Sequence, residues 1–127
     1  MGTFYYGDAR LAVVIDDRAL AHMRIVVLAK LRRNESFAFS WFKGIDRNSG
    51  RSTVWIHSGL TMQFDFAGSR EPEINRQWIE DLYASANRNI GMTITPEPRG
   101  AGAEGSRPQH EAAEVAEILE SLVATGI

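Results

Sequence analysis

The sequence predicts a two-layer α+β domain over residues 1–96, a mostly antiparallel sheet in the order ββαβββαβ with two helices on one face, plus a tethered C-terminal amphipathic helix. Three observations predict it. Short runs of alternating residues, among them SFAFSWF at 36–42, have the period of strands with one buried face. Two longer runs, at 17–33 and 75–87, space their apolar residues as helices do. Between residues 36 and 67 every connection is too short for a parallel crossover, which leaves antiparallel pairing.

Residues 3–6 and 10–15 are β-branched and aromatic runs split by the turn pair Gly7-Asp8, and they read as a hairpin. Asp16 or Asp17 is placed to cap a helix; with Asp16 as the cap, Ile15 and Leu20 stand at the positions of a hydrophobic staple. In that helix Leu20, Ala21, Met23, Val27, Leu28 and Leu31 share a broad face. Ile25 and Val26 fall outside it, where either a second layer or a partner has to cover them. Lys30, Arg32 and Arg33 crowd the last turn, where the helix dipole favours positive charge.

Phe37, Phe39 and Trp41 make the core side of the next strand. Residues 43–51 hold Gly44, Asn48, Ser49 and Gly50, the turn formers of a long exposed loop. A strand resumes at 52–57, Ser58-Gly59 turns the chain, and 61–67 adds a third strand with Met62, Phe64 and Phe66 on one face, so the three are expected as a meander. Asn75 is placed to cap the second helix, flanked by the staple pair Ile74 and Ile79, with Pro72 allowing an earlier start, and Ile74, Trp78, Leu82 and Ala86 line one side. Asn87 or Asn89 closes it, and Gly91 opens a last strand at 92–95. Residues 97–107 have the composition of a flexible linker. Residues 108–125 form an amphipathic helix with Val115, Ile118, Leu119 and Leu122 on one side; a lone helix of that length is marginal in water, so it is expected to dock.

A chain of 127 residues supports one core, and 44% apolar with 24% charged residues is ordinary for a globular domain. It has no cysteine, hence no disulfide and no thiolate zinc site. The opening MGTFYYGDAR lacks a basic segment followed by an apolar run, and no apolar stretch reaches the length of a membrane span, so a cytoplasmic protein without membrane contact is expected. Residues 1–95 carry a net charge of +2 and residues 96–127 a net charge of −4. That asymmetry suits self-association or a tail lying over the body, against the plainer reading of a solvated acidic helix.

The phrases KLRRNESFAFSW, GRSTVWIH and INRQWIEDLYASAN, with the opening MGTFYYG, resemble a family of small actinobacterial proteins of unknown function often labelled as ATP-dependent DNA ligases. The resemblance covers about residues 1–96. Its label implies ligase-related activity, and that chemistry needs a lysine nucleophile in the pattern Lys-x-Asp-Gly. Here Lys43 is followed by Gly44-Ile45-Asp46-Arg47, with the aspartate one place late and no glycine after it.

Other chemistry finds less footing. His22, His57 and His110 are scattered and have no metal-motif spacing. Ser52, His57 and Asp65 could be written as a triad, but no nucleophile-elbow pattern accompanies them. Phosphate-cradling glycine motifs are absent, and Gly100, Gly102 and Gly105 belong to the linker. No catalytic residue, cofactor or metal is expected. An anion or nucleic-acid surface could be built from Arg32, Arg33, Lys43, Arg47, Arg51 and His57, with Trp41 or Trp55 as stacking faces, although Trp41 shares the core side of its strand. The leading expectation is a non-enzymatic binding or assembly module, a homo-oligomer joined through Ile25 and Val26 or through Val115, Ile118, Leu119 and Leu122. The alternative is association with nucleic acid through Arg32, Arg33 and Arg51; a ligase-related activity is the remote one.

Overall fold

The computed structural model describes residues 1–42 and 50–99. The expected 43–49 loop with Lys43 and Arg47, and the linker and helix beyond residue 99 with Val115, Ile118, Leu119 and Leu122, lie outside the described residues.

The chain is α+β, as its periodicities predict. β1 (Gly2–Tyr6) and β2 (Leu11–Ile15) form the hairpin, turned by Gly7 at φ 79° and Arg10 at φ 53°. Helix α1 (Asp17–Arg32) starts at Asp16, whose carboxylate accepts from the Ala19 amide at 3.3 Å. β3 (Phe37–Phe42), β4 (Arg51–Ile56) and β5 (Met62–Asp65) follow, then α2 (Arg76–Ala86), capped by Asn75 accepting from the Trp78 amide at 3.3 Å.

The strands pair in two sheets, β2-β1-β5 and β3-β4, rather than in the expected single sheet with a β3-β4-β5 meander. β5 leaves β4 and crosses to β1, with Phe4 opposite Phe64 and Tyr6 opposite Met62. A short connection permits either pairing. Burial decides between them, because beside β1 the Phe64 ring lies 5.1 Å from that of Phe4, which in turn meets Phe39 of the other sheet edge-on at 6.1 Å. The last predicted strand is reduced to one parallel bridge between Phe39 and Met92. Beyond it α2 takes over the backbone: Ser85 Oγ accepts from the Thr93 amide at 3.3 Å, and the Trp78 indole donates to the Thr95 carbonyl at 3.0 Å.

Helix α1 contacts both β1 and α2, and α2 contacts β3. Phe4, Leu20, Met23, Phe39, Ile56, Ile79, Leu82 and Met92 are fully buried at this junction. Ile25 and Val26, expected as uncovered groups on the back of α1, are 7% and 0% exposed and belong to the core. The second layer, not a partner, covers them. Lys30 is buried as well, its ammonium donating to Glu35 at 3.1 Å and to Asn87 at 2.8 Å while lying over the Tyr83 and Phe37 rings.

Candidate functional site

The β3-β4 ribbon has one face in the core and one in water. Phe37, Phe39 and Ile56 are buried, Trp41 and Val54 half-buried against them, whereas Arg51, Thr53 and Trp55 are exposed. Strand alternation forces this division, since residues 51, 53 and 55 must project on one side. Trp55, at 60% exposure, stands opposite Ala38; Thr53 stands opposite Ser40, and their hydroxyls are 2.7 Å apart. Ile90, 61% exposed, borders the same face, its carbonyl accepting from Ser40 Oγ at 3.0 Å.

Next to Trp55 lies an open cleft of about 460 Å³, with Ser36, Ala38, Asn87, Arg88 and Asn89 among its lining and the buried Lys30, paired with the half-exposed Glu35, in its wall. Because the Lys30 ammonium already serves two oxygens and two rings, it braces the end of α1 against the end of α2 rather than offering a free charge.

The predicted basic group does not converge. Arg33 lies near Glu35, with 3.8 Å between nitrogen and oxygen, and Arg32 is exposed at the same helix end. Arg51, opposite Phe42, is at the far end of the ribbon, five residues or roughly 17 Å of strand from the Phe37 end. Among the described residues Arg51 has no acidic partner. His57 follows Ile56 at the Phe37 end, and its Nδ1 accepts from the Gly59 amide at 3.1 Å, which holds the turn. Lys43 and Arg47 lie outside the described residues.

A second polar cluster ties residue 97 to the body. Arg18 makes a forked pair with the Glu97 carboxylate, 2.7 Å to each oxygen, and donates to the Glu73 carbonyl at 2.9 Å. Asn75 Nδ2 adds a bond to Glu97 at 2.8 Å and one to the Pro98 carbonyl at 3.1 Å. The Arg18 and Asn75 bonds pull the Glu97 carboxyl down to about 2. Glu97 and Pro98, read from sequence as the start of a linker, are therefore anchored. Inside the clamp His22 is fully buried against Trp78, with its Nδ1 2.8 Å from the Arg18 carbonyl and its Nε2 accepting from the Asn75 amide at 2.8 Å. Burial, the dominant cause, lowers the His22 pKa and keeps the ring neutral, with the proton on Nδ1. Beside Arg18 in the first turn of α1, amides of Gly68 and Ala67 bind the Asp17 carboxylate and lower its pKa. No local pattern announces the Arg18–Glu97 pair, whose members are 79 residues apart in the chain.

These clusters hold the fold. Among the described residues no three His, Asp or Glu side chains are grouped as metal ligands, and no helix is long and apolar enough to cross a membrane. Residues 1–97 match the family described as Domain of unknown function (DUF7882). The chain belongs to the DUF7882 family. The matched segment ends at Glu97, the residue that the Arg18 fork binds, so the boundary of the DUF7882 domain coincides with a physical anchor. No curated protein and no solved structure matches the chain. The membership agrees with the resemblance seen in the sequence to a family of unknown function; the ligase label has no counterpart in the comparisons.

Proposed function

We propose that this DUF7882 domain is a non-catalytic binding and assembly module whose contact surface is the outer face and free edge of the β3-β4 ribbon. One observation carries the reading: Trp55 is 60% exposed on a strand that, among the described residues, has no neighbour beyond β3. Exposed tryptophan and arginine at the centre of a patch are what interfaces use as anchors. Ile25 and Val26, buried in the core, do not offer such a surface on α1.

Nucleic-acid binding through Arg32, Arg33 and Arg51 needs those side chains on one backbone track. They flank the ribbon at its two ends, and Arg33 lies near Glu35, an arrangement that does not form such a track. The proposed contact face is tested by placing a photo-crosslinking phenylalanine analogue at Trp55 and, as control, at Val14, which is 65% exposed on the other sheet. In the cells that make the protein, discrete adducts are expected from position 55 and not from position 14. Equal, diffuse labelling from both positions rejects the surface.

A further inference from the structure

We propose that the partner at this surface is a second copy of the chain, joined edge to edge through β4. The two β4 strands run antiparallel about a two-fold axis at Thr53, and Arg51 of each copy lies against Trp55 of the other. This rests on the contact surface proposed above and names its occupant.

The hydrogen bonds of β3 fix which groups are on offer. Met92 N donates to the Ala38 carbonyl at 2.7 Å and Ser40 N to the Met92 carbonyl at 2.9 Å, so the main-chain groups of Ala38 and Ser40 point away from β4. In an antiparallel ladder these groups alternate, so Phe37, Phe39 and Trp41 are the residues that exchange bonds with Ile56, Val54 and Ser52. The amides and carbonyls of Arg51, Thr53 and Trp55 therefore point out of the open edge. β3 has its far edge closed by the Met92 bridge, whereas β4 has no strand on its far edge among the described residues. The one bond there is from the Tyr6 hydroxyl to the Trp55 carbonyl, which keeps a second lone pair.

Register follows from the same three residues. With the axis at Thr53, the strands overlap over residues 51–55, Thr53 faces Thr53 of the second copy, and Arg51 and Trp55 pair twice across the seam. A guanidinium over an indole face is the strongest side-chain cation–π pairing. Moving the axis toward residue 51 brings two guanidinium groups together. Moving it toward residue 55 shortens the overlap and separates the Arg51–Trp55 pairs. An edge strand is ordinarily guarded by proline or a central charge; β4 has no proline, and Arg51 at its end is its one charge.

The test uses the full chain in sedimentation over a wide concentration range, with variants Thr53→Pro, Trp55→Ala and Val14→Glu. Proline at 53 removes an amide that points away from β3, so the β3-β4 ladder is left intact while the centre of the seam is lost. Expected are a dimer for the natural chain and Val14→Glu, a monomer with unchanged circular dichroism for Thr53→Pro, and a dimer dissociation constant raised about tenfold or more for Trp55→Ala. Should Thr53→Pro misfold, Arg51→Glu takes its place and is expected to weaken the dimer at least as much as Trp55→Ala. A monomeric natural chain, or a dimer unaffected by Trp55→Ala and Arg51→Glu, overturns the second copy. If a monomer still gives discrete adducts from position 55 with other proteins, the contact face stands and only this occupant fails; if neither dimer nor adducts form, both fall.

Discussion

Three residues show how single side chains set the limits of this fold. Gly91 sits at φ 91°, and a Cβ there would strike the Ala38 carbonyl just where Met92 bridges to β3. Gly91→Ala is expected to cost about 2–4 kcal/mol in chemical denaturation, because positive φ and collision act together. His22 is neutral when folded, and burial holds its pKa below the ordinary 6.5. The unfolded chain takes up a proton near that value while the folded chain does not, so the stability His22 contributes is complete above pH 6.5 and declines as pH falls below it. Urea titrations between pH 7.5 and 5 should show this decline, and His22→Phe should be less stable at pH 7.5 yet flatter across the same window. Glu97 acts lower down: its carboxyl is depressed from 4.5 to about 2, so its contribution is present above pH 4.5 and lost as pH falls toward 2. The sequence marked Gly91 only as the start of a strand; its positive φ, like the burial of His22 and the pairing of Glu97, depends on what the chain meets around it.

At the scale of elements, the ends of the helices were legible and their neighbours were not. Asp16 and Asn75 cap α1 and α2 as their positions predicted, because capping depends on three or four consecutive residues. Lys30 belongs to the same last turn as Arg32 and reads identically in the sequence, but it is 3% exposed and joins the ends of α1 and α2. Lys30→Ala should destabilise by about 3 kcal/mol, and Lys30→Met by less, because a methionine keeps the packing between Phe37 and Tyr83 while leaving no buried charge. The segment after Thr95 behaves as part of the body. A chain ending at residue 99 should melt at a higher temperature than one ending at 95, since only the longer one keeps the Arg18–Glu97 fork and the Asn75 bonds.

For the whole molecule, the two sheets are joined by the Phe4–Phe39 contact and each is covered by a helix that packs on the other. Pairing β5 with β1 links residues about 60 positions apart, while β4 has no strand beyond β3 among the described residues. If two copies join there, unfolding is coupled to dissociation, and the melting temperature should rise with protein concentration for the natural chain and stay constant for Thr53→Pro. Differential scanning measurements over a hundredfold range of concentration check this.

The sequence by itself determined what depends on near neighbours: the α+β class, the strand alternation of residues 36–42, the two helices with their caps, and the core identity of Phe37 and Phe39. Only the tertiary structure decided which strands pair, that Ile25 and Val26 are core and Trp55 is not, and that Arg33 and Arg51 stand at opposite ends of one ribbon. Periodicity specifies the face a side chain takes on its own element. The partner that this face meets is chosen by burial summed over the whole chain, and for β4 that choice leaves Arg51, Thr53 and Trp55 with no strand beyond them among the described residues.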